Sequence, residues 1–403
     1  MAARVAAAVS AARTRTGRGT PPKEHGLRVG IVGYELESES TGVGRALAGL
    51  LAGAAADAPS SWRFVVFLRR PLDHPALASD RVATVVPGGR SRFTRAVLWE
   101  QLELPSAIVR ERVDVVFSPS YSLPPRTGVP GVVTVHDLSF ERLPAEFGWR
   151  ERWRRRLLAR RACRVARRVL VDAPAIATEI AERYGVCARR LGVVPLAVEE
   201  RFRPAAEAAS RAEDEDLVRE LGVEPPFLLH VGSLLERRRP HALLEALRVA
   251  RAVDPRFRLV LAGPNRLRRP ETLDRLLREQ GLEAAVVGPG WVDDRQLIAL
   301  YRRAAATLSL SSYEGFCLPP LESLACGTPA IVDAAPGLDD LWPQYPFRVR
   351  ATDREALARV VARVLGAGAG GGWGSDAAIE RVRGASWRVA AGRWMAELER
   401  ARG

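Results

Sequence analysis

Short apolar runs that break off into a glycine or polar turn, and then into helical periodicity, recur along this chain from Leu27 onward. That alternation leaves few folds open. A strand apolar on both faces belongs inside a parallel sheet, and parallel neighbours need a helical crossover between them. Such runs stand at Leu27–Tyr34, Arg63–Leu68, Val82–Val86, Asp114–Phe117, Gly131–Val135, Arg168–Asp172 and Leu191–Pro195. They return at Phe227–Ser233, Arg258–Pro264, Ala285–Pro289, Ala306–Leu310 and Pro329–Asp333. A chain of 403 residues is too long for one core, so two doubly wound α/β domains are expected. Leu196–Pro204, partly charged and closed by proline, reads as the linker. The expected division is a disordered basic tail over 1–26, a first domain over 27–198, a second over 199–383 and a closing helix over 384–403.

Composition narrows the function classes. Hydrophobic residues make up 47% of the chain, yet no apolar run reaches the roughly 18–20 residues that span a bilayer. The tail is rich in Ala, Arg, Ser and Thr, and its apolar patch, Val5–Val9, is too short for a signal peptide. Its composition also suits an organellar transit peptide. Cys163, Cys187, Cys317 and Cys326 are spaced for neither a disulfide framework nor a metal clip, which points to a reducing, cytoplasmic setting. The net charge of +14 does not point to nucleic acid. Lys23 is the only lysine, so the arginine suggests codon bias as much as binding, and no aromatic–basic alternation accompanies the charge. A basic surface does suit a nucleoside diphosphate or an acidic membrane face.

In the first half, Thr41-Gly42-Val43-Gly44-Arg45 opens a helix after the strand that ends at Tyr34. A glycine turn between strand and helix is a phosphate-binding position, or a tight turn alone. A nicotinamide enzyme is disfavoured, because Leu47 replaces the third glycine of the dinucleotide fingerprint and the next strand ends in Arg69 and Arg70. A helix is expected over Thr94–Arg110. Ser118 and His136-Asp137 follow strand ends, where open parallel sheets hold ligands. Trp149–Leu170 reads as the most basic helix, with Trp149, Trp153, Leu157, Val165 and Val169 at helical spacing. It either docks its apolar face on the sheet or meets anionic lipid.

In the second half, Glu236-Arg237-Arg238 follows a strand, and adjacent arginines before a helix can clamp a diphosphate. The stretch Ser311-Ser312-Tyr313-Glu314-Gly315-Phe316-Cys317-Leu318-Pro319-Pro320-Leu321-Glu322 is a strand–turn–helix junction. Its backbone N–H groups and helix start suit phosphate. Glu314 is placed to accept from ligand hydroxyls, and Glu322 from two adjacent hydroxyls such as a ribose diol. The one Asp-x-Asp pair, Asp214 and Asp216, lies in a polar stretch before a strand, so no metal is expected.

The Glu314-Gly-Phe-Cys-Leu-Pro-Pro-Leu-Glu322 string, followed by Cys-Gly-Thr-Pro, resembles the donor-site signature of retaining glycosyltransferases of family 4, which have the GT-B fold. The resemblance runs from about Leu27 to Arg400. It implies two Rossmann-like domains facing across a cleft, with a C-terminal helix crossing back. It implies a donor nucleoside diphosphate sugar, a hydroxyl acceptor and no cofactor. On that resemblance His136, Glu314, Arg237 and Arg238 are catalytic. Gly42, Gly44, Ser233, Val292, Leu297, Gly315, Phe316, Cys317, Leu318 and Glu322 hold the donor, and Tyr34, Ser118 and Asp137 face the acceptor. Cys317 stands where the family usually has glycine, and Arg238 where it usually has lysine. The rival reading is a nucleotide-sugar-binding protein of the same fold without transfer. Donor sugar, base, acceptor and oligomeric state are not encoded legibly.

Overall fold

The structure, a computed structural model, describes residues 26–37, 42–89, 91, 93, 95–366 and 376–403. The basic tail up to residue 25, Thr41, and the glycine-rich loop beyond Gly366 lie outside the described residues. The chain divides into two compact units. One runs to Ala197 and takes up Ser386–Gly403, and the other is Val198–Ala385.

The first unit is a seven-stranded parallel sheet in the order β3-β2-β1-β4-β5-β6-β7. Its strands are β1 (Arg28–Val32), β2 (Arg63–Phe67), β3 (Val82–Val85), β4 (Val115–Ser118), β5 (Gly131–Thr134), β6 (Arg168–Val171) and β7 (Leu191–Val193). The second unit repeats the plan with five parallel strands in the order β10-β9-β8-β11-β12. These are β8 (Phe227–Val231), β9 (Arg258–Ala262), β10 (Val286–Gly290), β11 (Ala306–Ser309) and β12 (Ala330–Val332). All twelve apolar runs are strands. In each sheet the order reverses at one pair, β1 beside β4 and β8 beside β11. Ligands of doubly wound sheets sit beyond the carboxyl ends of such a pair.

The last helix, Trp387–Arg402, completes the first unit. It lies on the Gly42–Asp57 helix, and Gly49 and Gly53 are what let it approach. A Cβ at Gly49 would come within 2.2 Å of the Trp387 ring, and one at Gly53 within 2.6 Å of the Trp387 carbonyl oxygen. Trp394, fully buried, stacks on Phe64 at 6.0 Å between ring centroids and meets Phe117 edge-on at 5.0 Å. Arg388 grips the Asp57 carboxylate with two hydrogen bonds of 2.8 and 2.6 Å.

Two helical expectations need correction, and one helix forms where none was expected. The span Thr94–Arg110 is not one helix but two among the described residues, Ala96–Leu102 and Leu104–Arg110. Pro105, which has no N–H to continue the ladder, sits in the first turn of the second. The basic helix ends at Val165, because Arg168 begins β6, and its expected apolar face points outward. The polar stretch around Glu213–Asp216 lies within a helix, Ala208–Glu220, which docks through Val218 and Asp214.

Candidate active site

In the second unit the residues beyond β8 and β11 converge. Gly232, directly after β8, has φ +104°, and Arg238 reaches back under it to donate from Nη1 to the Val231 carbonyl at 3.0 Å. A Cβ at Gly232 would lie 2.1 Å from that Nη1, so glycine is required by both backbone and space. Glu314, in the turn beyond β11, holds Oε1 3.5 Å from Arg238 Nε and 4.0 Å from Arg237 Nε. The Ser311 hydroxyl donates to the same Oε1 at 2.8 Å, and the Ser312 amide donates to the Arg237 carbonyl at 2.8 Å. Two arginines and one acid are therefore tied into a mostly buried cluster of net positive charge. Arg239 adopts a left-handed conformation and pairs with Asp333, the residue after β12.

The turn then feeds the helix Leu318–Ala325. Gly315 lies in that turn, and Phe316 is buried against the first turn of the next helix, Pro336–Leu341. The Gly337 amide donates to the Phe316 carbonyl at 2.8 Å. Cys317 takes φ +71° at the N-cap, a left-handed position that favours glycine. Its sulfur lies 3.0 Å from the Ser309 hydroxyl, and burial pushes its thiol up to about 12. It is a neutral side chain, not a thiolate nucleophile. Glu322 is 2% exposed, and its Oε2 accepts from the Tyr301 hydroxyl at 2.8 Å. Val292 is half-buried beside the Asp294–Arg303 helix, which Asp293 and Gln296 start with a reciprocal capping box. Leu297 on that helix is buried in packing. Ser233 follows Gly232 in the same turn as the arginines.

Two other features of this unit stand apart from the cluster. Asp214 accepts from Arg302 at 3.2 Å and Asp216 from Arg219 at 2.6 Å, so both carboxylates are committed to ion pairs. Among the described residues no three His, Cys, Asp or Glu side chains gather as a metal site. A cavity of about 480 Å³ is lined by Glu236, Arg239, His241, Leu267, Leu276 and Leu357, and includes none of the Glu314 turn.

In the first unit the residues beyond β1, β4, β5 and β6 meet. His136 holds Nδ1 2.7 Å from Asp172 Oδ2 and Nε2 2.8 Å from the Pro119 carbonyl. With Asp172 ionised both partners are acceptors, an arrangement that suits an imidazolium, although burial also raises the Asp172 carboxyl. Burial alone would lower its pKa, but the Asp172 charge and hydrogen bond and the Pro119 carbonyl win, and it rises to about 8. The His136 side chain keeps 22% of its surface exposed beside these two bonds. Asp137 accepts from the Ser139 amide at 2.8 Å and starts the short Ser139–Arg142 helix. Ser118 is fully buried and donates to the Ser120 carbonyl at 3.2 Å.

Tyr34 places its hydroxyl 3.0 Å from the Ser120 hydroxyl, and burial raises its pKa well above 10.0. Burial also raises the neighbouring Glu35 carboxyl, against hydrogen bonds to Tyr34 and Ser120 and the charge of His136. Glu100 is fully buried, accepts from Ser122 at 2.6 Å and from Gln101 at 3.0 Å, and is lifted by burial to about 7. Gly42 is the first, exposed residue of the Gly42–Asp57 helix, and Gly44 is buried. Sequence reasoning missed Glu35, Ser120 and Asp172. Each lies just past a strand end, the signal that singled out His136.

Comparison with known proteins finds a glycosyltransferase family model on each half of the chain. Residues 41–202 match the model for Glycosyltransferase Family 4, and residues 213–368 the model for Glycosyl transferases group 1. Among curated relatives, the mannosylfructose-phosphate synthase of Agrobacterium fabrum is 29% identical over 220 residues, covering 53% of this chain and 45% of that protein. The D-inositol 3-phosphate glycosyltransferase of Acidothermus cellulolyticus is 33% identical over 226 residues, covering 53% and 49%. The chain spans about half the length of the curated relatives it matches. Among solved structures, sucrose-phosphate synthase from Thermosynechococcus elongatus superposes with a TM-score of 0.68 at 21% identity, covering 93% of this chain and 98% of that one. HepE of Anabaena, solved with UDP-glucose, superposes with a TM-score of 0.63 at 15% identity, covering 93% and 98%. Those superpositions establish the shared fold.

Proposed function

Because this chain belongs to the glycosyltransferases of family 4 and has their GT-B fold, we propose that it transfers a hexose-type sugar from a nucleoside diphosphate to an acceptor hydroxyl, with anomeric configuration retained. The observation that carries this reading is the convergence of Arg237, Arg238 and Glu314 at the reversal point of the second sheet. Arginine forks take up the charge that a departing diphosphate develops, and do so best where burial has already removed water. The nearby start of the Leu318–Ala325 helix adds the positive end of its dipole, with the Leu318 amide as a donor, since Pro319 and Pro320 carry no N–H.

In this reading Glu314 orients the donor sugar and Glu322, steadied by Tyr301, accepts from the ribose. Cys317 is neutral, and the two carboxylates are engaged with Arg238 and Tyr301. Same-face attack therefore fits better than a covalent intermediate. The acceptor oxygen bonds to the anomeric carbon as the sugar–phosphate bond breaks, and the leaving phosphate oxygen takes the acceptor proton. The positive charge is supplied by arginine, with Asp214 and Asp216 committed elsewhere, which supports transfer without a metal ion. Tyr34, Glu35 and Ser120 suit a hydroxyl-rich acceptor. The cysteines form no disulfide, in keeping with a reducing cytoplasm.

A panel of nucleoside diphosphate sugars assayed for slow hydrolysis without acceptor tests the reading. One donor should release its nucleotide at a rate that Arg237→Ala lowers. A nucleotide-selective rise in melting temperature with no turnover on any donor would instead identify a binding protein. A rise with short RNA alone would overturn both.

A further inference from the structure

The Trp149–Val165 helix carries its largest apolar side chains on the outside. It packs on its unit through Ala159, Ala162 and Cys163, whereas Trp149, Trp153 and Leu157 are 75%, 64% and 52% exposed. At about 100° per residue these three form one stripe. Arg160 and Arg164 continue it toward the C-terminus, and Arg150 and Arg154 run beside it. All four arginines are exposed, and the Arg150 guanidinium lies over the Trp149 ring at 5.1 Å. The single acid of the helix, Glu151, lies off this face and is held by Arg155 at 2.6 Å. Other arginines are used inward: Arg152 donates to the Phe140 carbonyl, Arg156 pairs with Glu141 and Arg161 donates to the Leu123 carbonyl. Arg160, though exposed, also turns toward its own unit, with Nε 3.9 Å from Glu141 and its guanidinium over the Tyr184 ring at 5.6 Å. The outer face thus holds two tryptophans, a leucine and Arg150, Arg154 and Arg164, without an acid. The adjoining helix, Ala96–Leu102, reached through Arg161 and Gln101 at 3.5 Å, exposes Leu98 and Leu102 as well.

We infer that this face docks on an anionic lipid surface, with Trp149, Trp153 and Leu157 entering the headgroup–acyl boundary and Arg150, Arg154 and Arg164 pairing with lipid phosphates. Tryptophan rings favour that boundary because they are apolar with one polar edge. Arginine forks match phosphate oxygens. A helix of 17 residues is about 25 Å long and lies in the interface rather than across it. A second copy of the chain fits this face poorly, because two-fold pairing would set Arg150, Arg154 and Arg164 against themselves with no acid on the face to answer them. The inference stands on this helix alone and does not depend on the transfer reaction.

The test is sedimentation of the full chain with vesicles of phosphatidylglycerol and phosphatidylcholine, and with vesicles of phosphatidylcholine alone. Binding is expected to the anionic vesicles and to weaken as salt rises. Trp149→Ser with Trp153→Ser, and separately Arg150→Glu with Arg154→Glu, should each weaken it by about tenfold or more. All four positions are exposed, so wild-type melting temperatures are expected in both variants. Failure to sediment with anionic vesicles at low salt overturns the inference, as does binding that both double variants leave unchanged. Self-association that the tryptophan variant abolishes, without vesicle binding, would assign the face to a second copy. Retention of RNA in place of vesicles would likewise overturn it.

Discussion

Arg238 Nε stands 3.5 Å from Glu314 Oε1, so the acid that is proposed to orient the donor sugar also partly neutralises the charge that is proposed to hold the diphosphate. Removing that acid has two opposite consequences. Glu314→Gln should tighten binding of a bare nucleoside diphosphate by about threefold to tenfold, because a nearby negative charge is lost. It should also lower turnover by on the order of 10²-fold, because the sugar loses its positioning partner. Calorimetric titration beside a turnover assay reads both. Weaker diphosphate binding in the variant would mean that the arginines do not face the phosphates.

The two arginines should differ. Arg238 holds the Val231 carbonyl at 3.0 Å under Gly232, so Arg238→Ala removes a structural hydrogen bond together with a charge. About 1–2 kcal/mol of stability should go with it. Arg237→Ala should lower kcat by about 10²–10³, with melting temperature nearly unchanged. Urea unfolding of both variants, beside turnover, separates the roles. Equal loss of stability in both would refute the distinction.

Tyr301 and Glu322 form a buried pair at 2.8 Å. Tyr301→Phe should destabilise the chain by about 1–3 kcal/mol, because a buried carboxylate loses a donor. If Glu322 binds a ribose, the variant should also raise KM for the donor more than it lowers kcat. A change confined to stability would leave Glu322 a packing residue.

How much of this was legible follows from where each signal lives. Strands are written in the order of apolar and glycine residues, so every strand was readable. The reversal of sheet order at β8 and β11 then explains why Arg238 and Glu314, far apart in sequence, meet. Contacts that depend on side-chain direction were not readable. His136 shows a site-competent position, but nothing in its neighbours reveals that Asp172 and the Pro119 carbonyl take both ring nitrogens. Trp149, Trp153 and Leu157 give the same periodicity whether the stripe faces in or out. Only the small Ala159, Ala162 and Cys163 opposite them decide it.

The charge on His136 gives a pH dependence. Its pKa is raised from 6.5 to about 8 in the folded chain. The stabilisation is therefore complete below about pH 6.5 and is lost as pH rises through about 8, amounting to roughly 1–2 kcal/mol. Thermal melts between pH 6 and 9 should show a fall in this window (about pH 6.5–8.5). His136→Gln, which cannot be charged, should flatten it. An unchanged slope in the variant would show that another group titrates there.

The first unit depends on the end of the chain for its core. Trp394, Leu398, Ala390 and Ala391 belong to the same buried cluster as Leu47, Leu51, Phe64 and Phe117, and the contact is close because Gly49 and Gly53 carry no side chain. A valine at Gly53 would meet the Trp387 carbonyl oxygen at 2.6 Å and the Ala391 methyl at 2.8 Å. Those atoms are backbone and Cβ, so they cannot swing aside, and the helix must lift. Gly53→Val should cost about 1–3 kcal/mol, and Trp394→Ala, which leaves a large void between Phe64 and Phe117, about 3–5 kcal/mol. Gly392, with nothing within 4 Å of an added Cβ, serves as the control, and Gly392→Ala should be neutral or slightly stabilising in a helix interior. Urea midpoints of the three variants decide the matter: a Gly53→Val midpoint equal to that of Gly392→Ala would mean the two helices do not pack as closely as described.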